Sequence, residues 1–203
     1  MKIKLGTLIL LLLLTSCAKK QVKIPKIALH GAEQVANHSQ IWLFYNEQGK
    51  LTLNEKNRIS STNWFFNIDK RLILREVMPE VKRLFIKHNT KSPHNTAPMS
   101  NYYSYANSLN DKLSFYQFDS IQYQFIKVTE LPNYTKISDT ILFKIISQDV
   151  DFTNLPLKTD TVSVVQMAFY NDISFQQYLS AKAKIEKRIA KKQLSTVELL
   201  VAK

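Results

Sequence analysis

Cysteine, glycine and histidine are scarce in this 203-residue chain, which has one Cys, three Gly and four His. A lone Cys excludes an intramolecular disulfide framework and any zinc or iron–sulfur site built on several thiolates. So few glycines leave nothing for a phosphate-cradling loop, and neither GxGxxG nor GxxxxGK[ST] occurs. A GxSxG nucleophile elbow is also missing. Acidic residues are few: 16 stand against 28 Lys and Arg, for a net charge of +12. What is present is apolar and aromatic. At 45% hydrophobic and 11% aromatic residues the chain can bury a core and is not a disordered polymer.

The one long apolar run lies at the amino terminus, MKIKLGTLILLLLLTSC. Lys2 and Lys4 precede it, and Leu5 to Leu14 form its body. Ten helical residues reach about 15 Å, half of a bilayer core, so the run suits an export signal and is too short for a span. Its end, Leu14-Thr15-Ser16-Cys17, resembles the lipobox of bacterial lipoprotein signal peptides. The resemblance implies a diacylglyceryl group on the Cys17 sulfur, cleavage after Ser16 and acylation of the new amino terminus. Two or more acyl chains anchor a protein stably without a membrane helix. Ala18 stands where an Asp would favour inner-membrane retention. The resemblance therefore implies an outer-membrane lipoprotein facing the periplasm. Cleavage removes two basic residues and leaves a mature charge of +10.

Residues 17–38 are polar and basic with Pro25 and Gly31, and read as a lipidated tether. Residues 39–203 read as a single α+β domain with a mixed or largely antiparallel sheet. Strands are expected at 41–45, 50–53, 59–68, 113–128 (bent near Asp119-Ser120), 140–147, 161–170 and 196–201. Leu74, Val77, Met78, Val81, Leu84 and Phe85 recur at helical spacing, giving a helix over about 75–88. Phe175, Tyr178, Leu179, Ile185 and Ile189 give a second over about 173–192. Residues 89–110, with Pro93 and Pro98, read as a long loop. The Tyr102, Tyr103 and Tyr105 cluster falls within it, either as a platform for sugar or peptide or packed onto the domain.

The stretches Trp64-Phe65-Phe66-Asn67-Ile68-Asp69 and Met167-Ala168-Phe169-Tyr170-Asn171-Asp172 each lead into a helix. They suggest an internal duplication, with Asn or Asp capping the helix behind. Asn67-Ile68-Asp69-Lys70 and the helix after it are also similar to the periplasmic domain of the biopolymer-transport (ExbD/TolR) family. That family keeps an uncleaved membrane helix with an acidic residue. This chain has a short uncharged signal instead, so the resemblance implies at most a related fold and no proton-motor role.

No residue set announces catalysis. His88 and His94 are six apart in a polar stretch and read as solvent-exposed loop histidines rather than a zinc pair. Asp149 and Asp151 fall far short of a calcium loop. No cofactor is expected. Lys182, Lys184, Lys187, Arg188, Lys191 and Lys192 crowd the second helix. They form either a solvated face or a surface for anionic lipid or acidic glycan. Ser120, Thr140 and Thr161 each follow an Asp and precede an apolar residue. This resembles an O-glycosylation sequon of exported proteins in one group of Gram-negative bacteria. The expected function is a membrane-anchored, non-catalytic binding or structural module of the envelope. Its partner would be a protein, glycan or anionic lipid, and nucleic acid is not expected. The alternative is an envelope glycan- or peptide-modifying enzyme without a recognisable motif.

Overall fold

The computed structural model describes residues 22–90, 99–119, 122–134, 140–145, 164–189 and 195–202. The strands are β1 (Lys26–Ile27), β2 (His38–Tyr45), β3 (Leu51–Asn54), β4 (Asn63–Ile68), β5 (Asn101–Asn107), β6 (Lys112–Gln117), β7 (Gln122–Lys127), β8 (Thr140–Ile145), β9 (Val164–Tyr170) and β10 (Ser195–Ala202). Two long helices, α1 (Leu74–Asn89) and α3 (Phe175–Ile189), follow β4 and β9, and a short α2 (Leu131–Tyr134) follows β7. The α+β class and the mixed sheet hold. The described strands form two sheets rather than one.

The first sheet runs β6-β5-β4-β2-β3, with β1 on the same edge of β5 as β4 but further along it. β2, β4, β5 and β1 are mutually parallel, while β3 and β6 are antiparallel to their neighbours. The second sheet, β7-β10-β9-β8, is parallel throughout. Parallel pairing demands crossovers, and α1 supplies the one from β4 to β5 and α3 the one from β9 to β10. One core draws on both sheets and both long helices, from Ile41, Trp64 and Phe66 to Met167, Phe169 and Tyr178. A smaller core under α2 joins Leu131 to Leu199 and Val201. No helix among the described residues is long and apolar enough to cross a membrane.

The two halves repeat one plan. β2-β4-α1-β5 and β8-β9-α3-β10 have the same order and the same parallel neighbours. Their strand-to-helix turns pair reciprocally. Leu74 N–H donates to Ile173 O, and Phe175 N–H donates to Leu72 O. Arg75 N–H donates to Asn171 O, and Gln176 N–H donates to Lys70 O. Each exchange relates residues by one constant offset of 101, the signature of a local two-fold. The expected echo thus lies on equivalent strands, but two residues out of register: Asp69 answers to Tyr170, not to Asp172. The capping differs too. Ile73 at the start of α1 makes no side-chain cap. α3 is capped by Ser174, whose hydroxyl accepts from Gln177 N–H while Gln177 Oε1 accepts from Ser174 N–H.

Two expectations are corrected here. The stretch read as a tether is docked from Lys23 on: Lys70 N–H donates to Lys23 O, Ala106 N–H to Pro25 O and Ser108 N–H to Ile27 O. Its few apolar side chains suffice because Ile27 fills the core beside β5. Residues 101–107, read as loop, are strand β5. Tyr103 and Tyr105 point inward and are fully buried, while Tyr102 lies half-buried on the opposite face.

Candidate functional site

The outer face of the first sheet, away from α1, carries a wide cleft. Strand alternation puts Trp64 and Phe66 inward and Phe65 outward. Phe65 stacks on His38 of β2 (ring centroids 4.2 Å) and on Phe115 of β6 (4.1 Å), with Tyr102 edge-on at 5.7 Å. Residues 33–36 form the facing wall. That wall is fixed by paired backbone bonds between Ala32 and Phe115 and by His38 Nδ1 at 3.0 Å from Val35 O. Lys112 and Asn110 both donate to the Glu33 carboxylate, which the Lys112 ammonium holds below the usual carboxylate range. Only glycine passes at position 31, where a Cβ would lie 2.4 Å from Tyr105 Oη and 2.6 Å from Phe115 O. The cleft encloses about 650 Å³ between Glu33, Gln34, His38, Gln40, Leu113 and Phe115. It offers amide and carboxylate groups above an apolar floor, a lining suited to a ligand with both hydroxyl and C–H faces.

A second constellation is internal. Lys182 and Glu198, both without solvent exposure, are ion-paired. The Tyr178 hydroxyl donates to the second Glu198 oxygen at 2.7 Å, and Lys182 Nζ lies 3.3 Å from Glu186. Tyr116 donates to Glu186, and the Tyr103 and Tyr123 hydroxyls meet at 2.9 Å beside the pair. Burial, with the nearby carboxylates, pushes the Tyr103, Tyr116 and Tyr178 phenols up, so they stay neutral donors. Lys182 was expected on the solvated basic face, and this is corrected. It sits one helical turn from Tyr178 and Ile185 and therefore on the apolar stripe, where its charge is tolerable only against Glu198. Lys184 and Lys187 are exposed. The local two-fold explains the location: Val81 of α1 and Tyr103 of β5 occupy the equivalent places in the first half.

A third constellation centres on a histidine whose expected place the structure corrects. His88, expected in an exposed loop, is 4% exposed in the last turn of α1. Its ring stacks on Trp64 at 3.9 Å. Nδ1 lies 2.9 Å from Asn101 Oδ1 and Nε2 lies 2.9 Å from Thr62 O. Asn101 in turn donates to Asp119 at 2.7 Å. Both ring nitrogens are engaged, so the ring ties the last turn of α1 to β5 and to the turn before β4. Burial lowers the His88 pKa, against the opposing pull of Asn101, Thr62 O and the Asp119 charge. The folded state then binds this proton less readily than the unfolded chain does. Stability is expected to be retained above the unfolded value of 6.5 and to fall as pH drops below it. Urea midpoints measured between pH 7.5 and 5.0 should fall, and His88→Gln should flatten that decline. An unchanged slope in the variant would place the titration elsewhere.

Among the described residues no group of three or more His, Cys, Asp and Glu could hold a metal ion. Cys17, Ser120, Thr161, Lys191 and Lys192 lie outside the described residues, as do His94, Asp149 and Asp151. Of Thr140 and Arg188 only the backbone is described, on β8 and α3. The structure brings none of the other expected site residues into the cleft. The signal that could have found the cleft is the alternation His38, Gln40, Trp42 on one strand beside Phe65 on the next. Comparison with protein-family models, with curated proteins and with solved structures returns no match.

Proposed function

We propose that the protein is a lipid-anchored, non-catalytic binding module of the bacterial cell envelope. It is held through Cys17 and presents the outer-face cleft of the first sheet to an envelope glycan. The observation that carries this reading is the cleft itself, with the hydrogen-bonding groups of Gln34, His38 and Gln40 set around the Phe65–Phe115 floor. A sugar presents the matching pattern of hydroxyls and apolar C–H faces. The lipobox-like Leu14 to Cys17 supports the anchor, and Ala18 supports placement in the outer membrane facing the periplasm. An internal duplication accounts for the two repeated halves.

Two experiments test the two parts. In a bacterial host fed labelled palmitate, Cys17→Ala is expected to abolish labelling and to shift the protein out of the membrane fraction; undiminished labelling would overturn the anchor. In calorimetric titrations with soluble envelope-glycan fragments, the double variant His38→Ala/Gln40→Ala should weaken binding by about tenfold or more, the loss of one or two hydrogen bonds. Equal binding by wild type and variant would remove the cleft as the site.

A further inference from the structure

The described chain starts at the end of the molecule opposite the cleft. The cleft uses His38, Gln40 and Phe65, near the beginnings of β2 and β4. Lys23 is instead pinned at the far end of β4, where its N–H donates to Asp69 Oδ2 and its carbonyl accepts from Lys70 N–H. Six residue steps separate Lys23 from Cys17, and six steps of chain reach at most about 21 Å. α1, with sixteen residues, separates the two ends by about 24 Å. An acylated Cys17 therefore cannot let the domain float freely. It draws the Asp69–Ile73 and Asn171–Ser174 turns toward the bilayer.

The surface found there has the composition of a lipid contact. An apolar slot of about 340 Å³ opens between the first turns of α1 and the carboxyl ends of β7 and β10. Leu74, Pro79, Phe125 and Leu200 line it, and Arg75 and Lys127 stand at its rim. Phe125 and Val128, 47% and 39% exposed, are two of the six exposed large apolar side chains among the described residues. Among the described residues Lys23, Lys70, Arg75 and Lys127 form no ion pair. The carboxylates at this end are mostly engaged: Asp69 with Arg71, Glu76 with the Tyr45 hydroxyl, Glu130 with Lys127 N–H. Asp172 shares the turn.

We infer that this end seats on the bilayer, with Arg75 and Lys127 on the phosphate of an anionic phospholipid and the slot against its acyl region. This rests on the anchor reading above. It also turns the cleft away from the membrane, toward the space a glycan occupies.

The test uses the full lipidated chain in vesicles of neutral phosphatidylcholine, with or without about one-third phosphatidylglycerol, carrying a headgroup quencher. Cys17 is the only native Cys, so a label on Thr129→Cys or Ile59→Cys reports one position. The Thr129→Cys label is expected to be quenched several-fold more than the Ile59→Cys label in anionic vesicles. Arg75→Gln/Lys127→Gln should reduce that contrast to its value in neutral vesicles. Equal quenching of the two labels in anchored protein would overturn the orientation while leaving the anchor intact. A contrast that the double variant leaves unchanged would overturn the lipid-phosphate contact. Protein that carries no acyl group would overturn the anchor and this inference together.

Discussion

Glu198→Ala is expected to destabilise the fold by about 3–5 kcal/mol, because it takes the buried carboxylate from the Lys182 ammonium, which has no access to water, and leaves it only the longer 3.3 Å contact with Glu186. It also leaves the Tyr178 hydroxyl without its acceptor. A stability of about 5–15 kcal/mol is ordinary for a domain, so this single change approaches the whole margin. The companion variant separates charge from packing. Lys182→Met/Glu198→Leu removes both charges at similar volume, and the first half already fills the equivalent positions with Val81 and Tyr103. The double variant should therefore lie within about 1–2 kcal/mol of wild type, since apolar replacements of buried pairs are often neutral. Urea unfolding of both variants and both singles gives the cycle. If the double variant loses as much as the two singles combined, the pair is not acting as a unit.

The second large effect is expected at Asp69. Its carboxylate accepts from Arg71 N–H at 3.0 Å, from the Arg71 guanidinium at 2.8 and 2.7 Å, and from Lys23 N–H at 3.3 Å. Burial raises its pKa, but the Arg71 guanidinium and the two backbone donors outweigh burial and hold it below its ordinary 3.8. Asp69→Ala should cost about 2–3 kcal/mol at neutral pH, the worth of a charge-assisted pair and a turn bond. Because the folded pKa is the lower one, this contribution is full above the unfolded value and is lost as pH falls below about 4. Wild type and variant should therefore converge in acid. Hydrogen exchange supplies an independent reading: the Lys70 amide, bonded to Lys23 O, should exchange faster in the variant. An Asp69→Ala protein with wild-type stability and protected Lys70 would remove the residue from this role.

Much of the fold is legible in the residues. The apolar spacing from Leu74 to Phe85 marks α1 because a period of 3.6 has few competing explanations. Pro79 lies within the helix, where it removes one hydrogen bond without ending it. β6 ends at Gln117 and β7 begins at Gln122, so the stretch expected to break near Asp119-Ser120 forms two strands. What misleads is local composition. Prolines and asparagines around residues 93–110 suggest a loop, although Tyr103 and Tyr105, two apart, carry the alternation of a strand. Lys182 looks like surface because it is charged, yet its spacing of four from Tyr178 and three from Ile185 places it on the buried stripe. His88, four beyond Leu84, falls in the same way on the buried stripe of α1. In each case position along the periodic pattern outranks residue type, because a buried partner from elsewhere in the chain makes the polar group tolerable. That partner is invisible locally: Glu198 is 16 residues from Lys182, and Asn101 is 13 from His88. The cleft is harder still to see, since it joins residues 33–40, 65 and 113–115 across three strands.

The reciprocal pairing of the turns before α1 and α3 has a consequence for how the chain matures. Each long helix receives the bonds of its first turn from a segment about one hundred residues away, so neither can close its amino end alone. Synthesis delivers the chain from its amino terminus. A first half that has emerged must wait, open and protease-sensitive, until residues 171–176 arrive. Contacts of such sequence separation slow folding and merge it into one step. The two repeats, alike as they are, should thus melt in a single transition, and a chain severed between them should regain its shape only when both pieces are mixed.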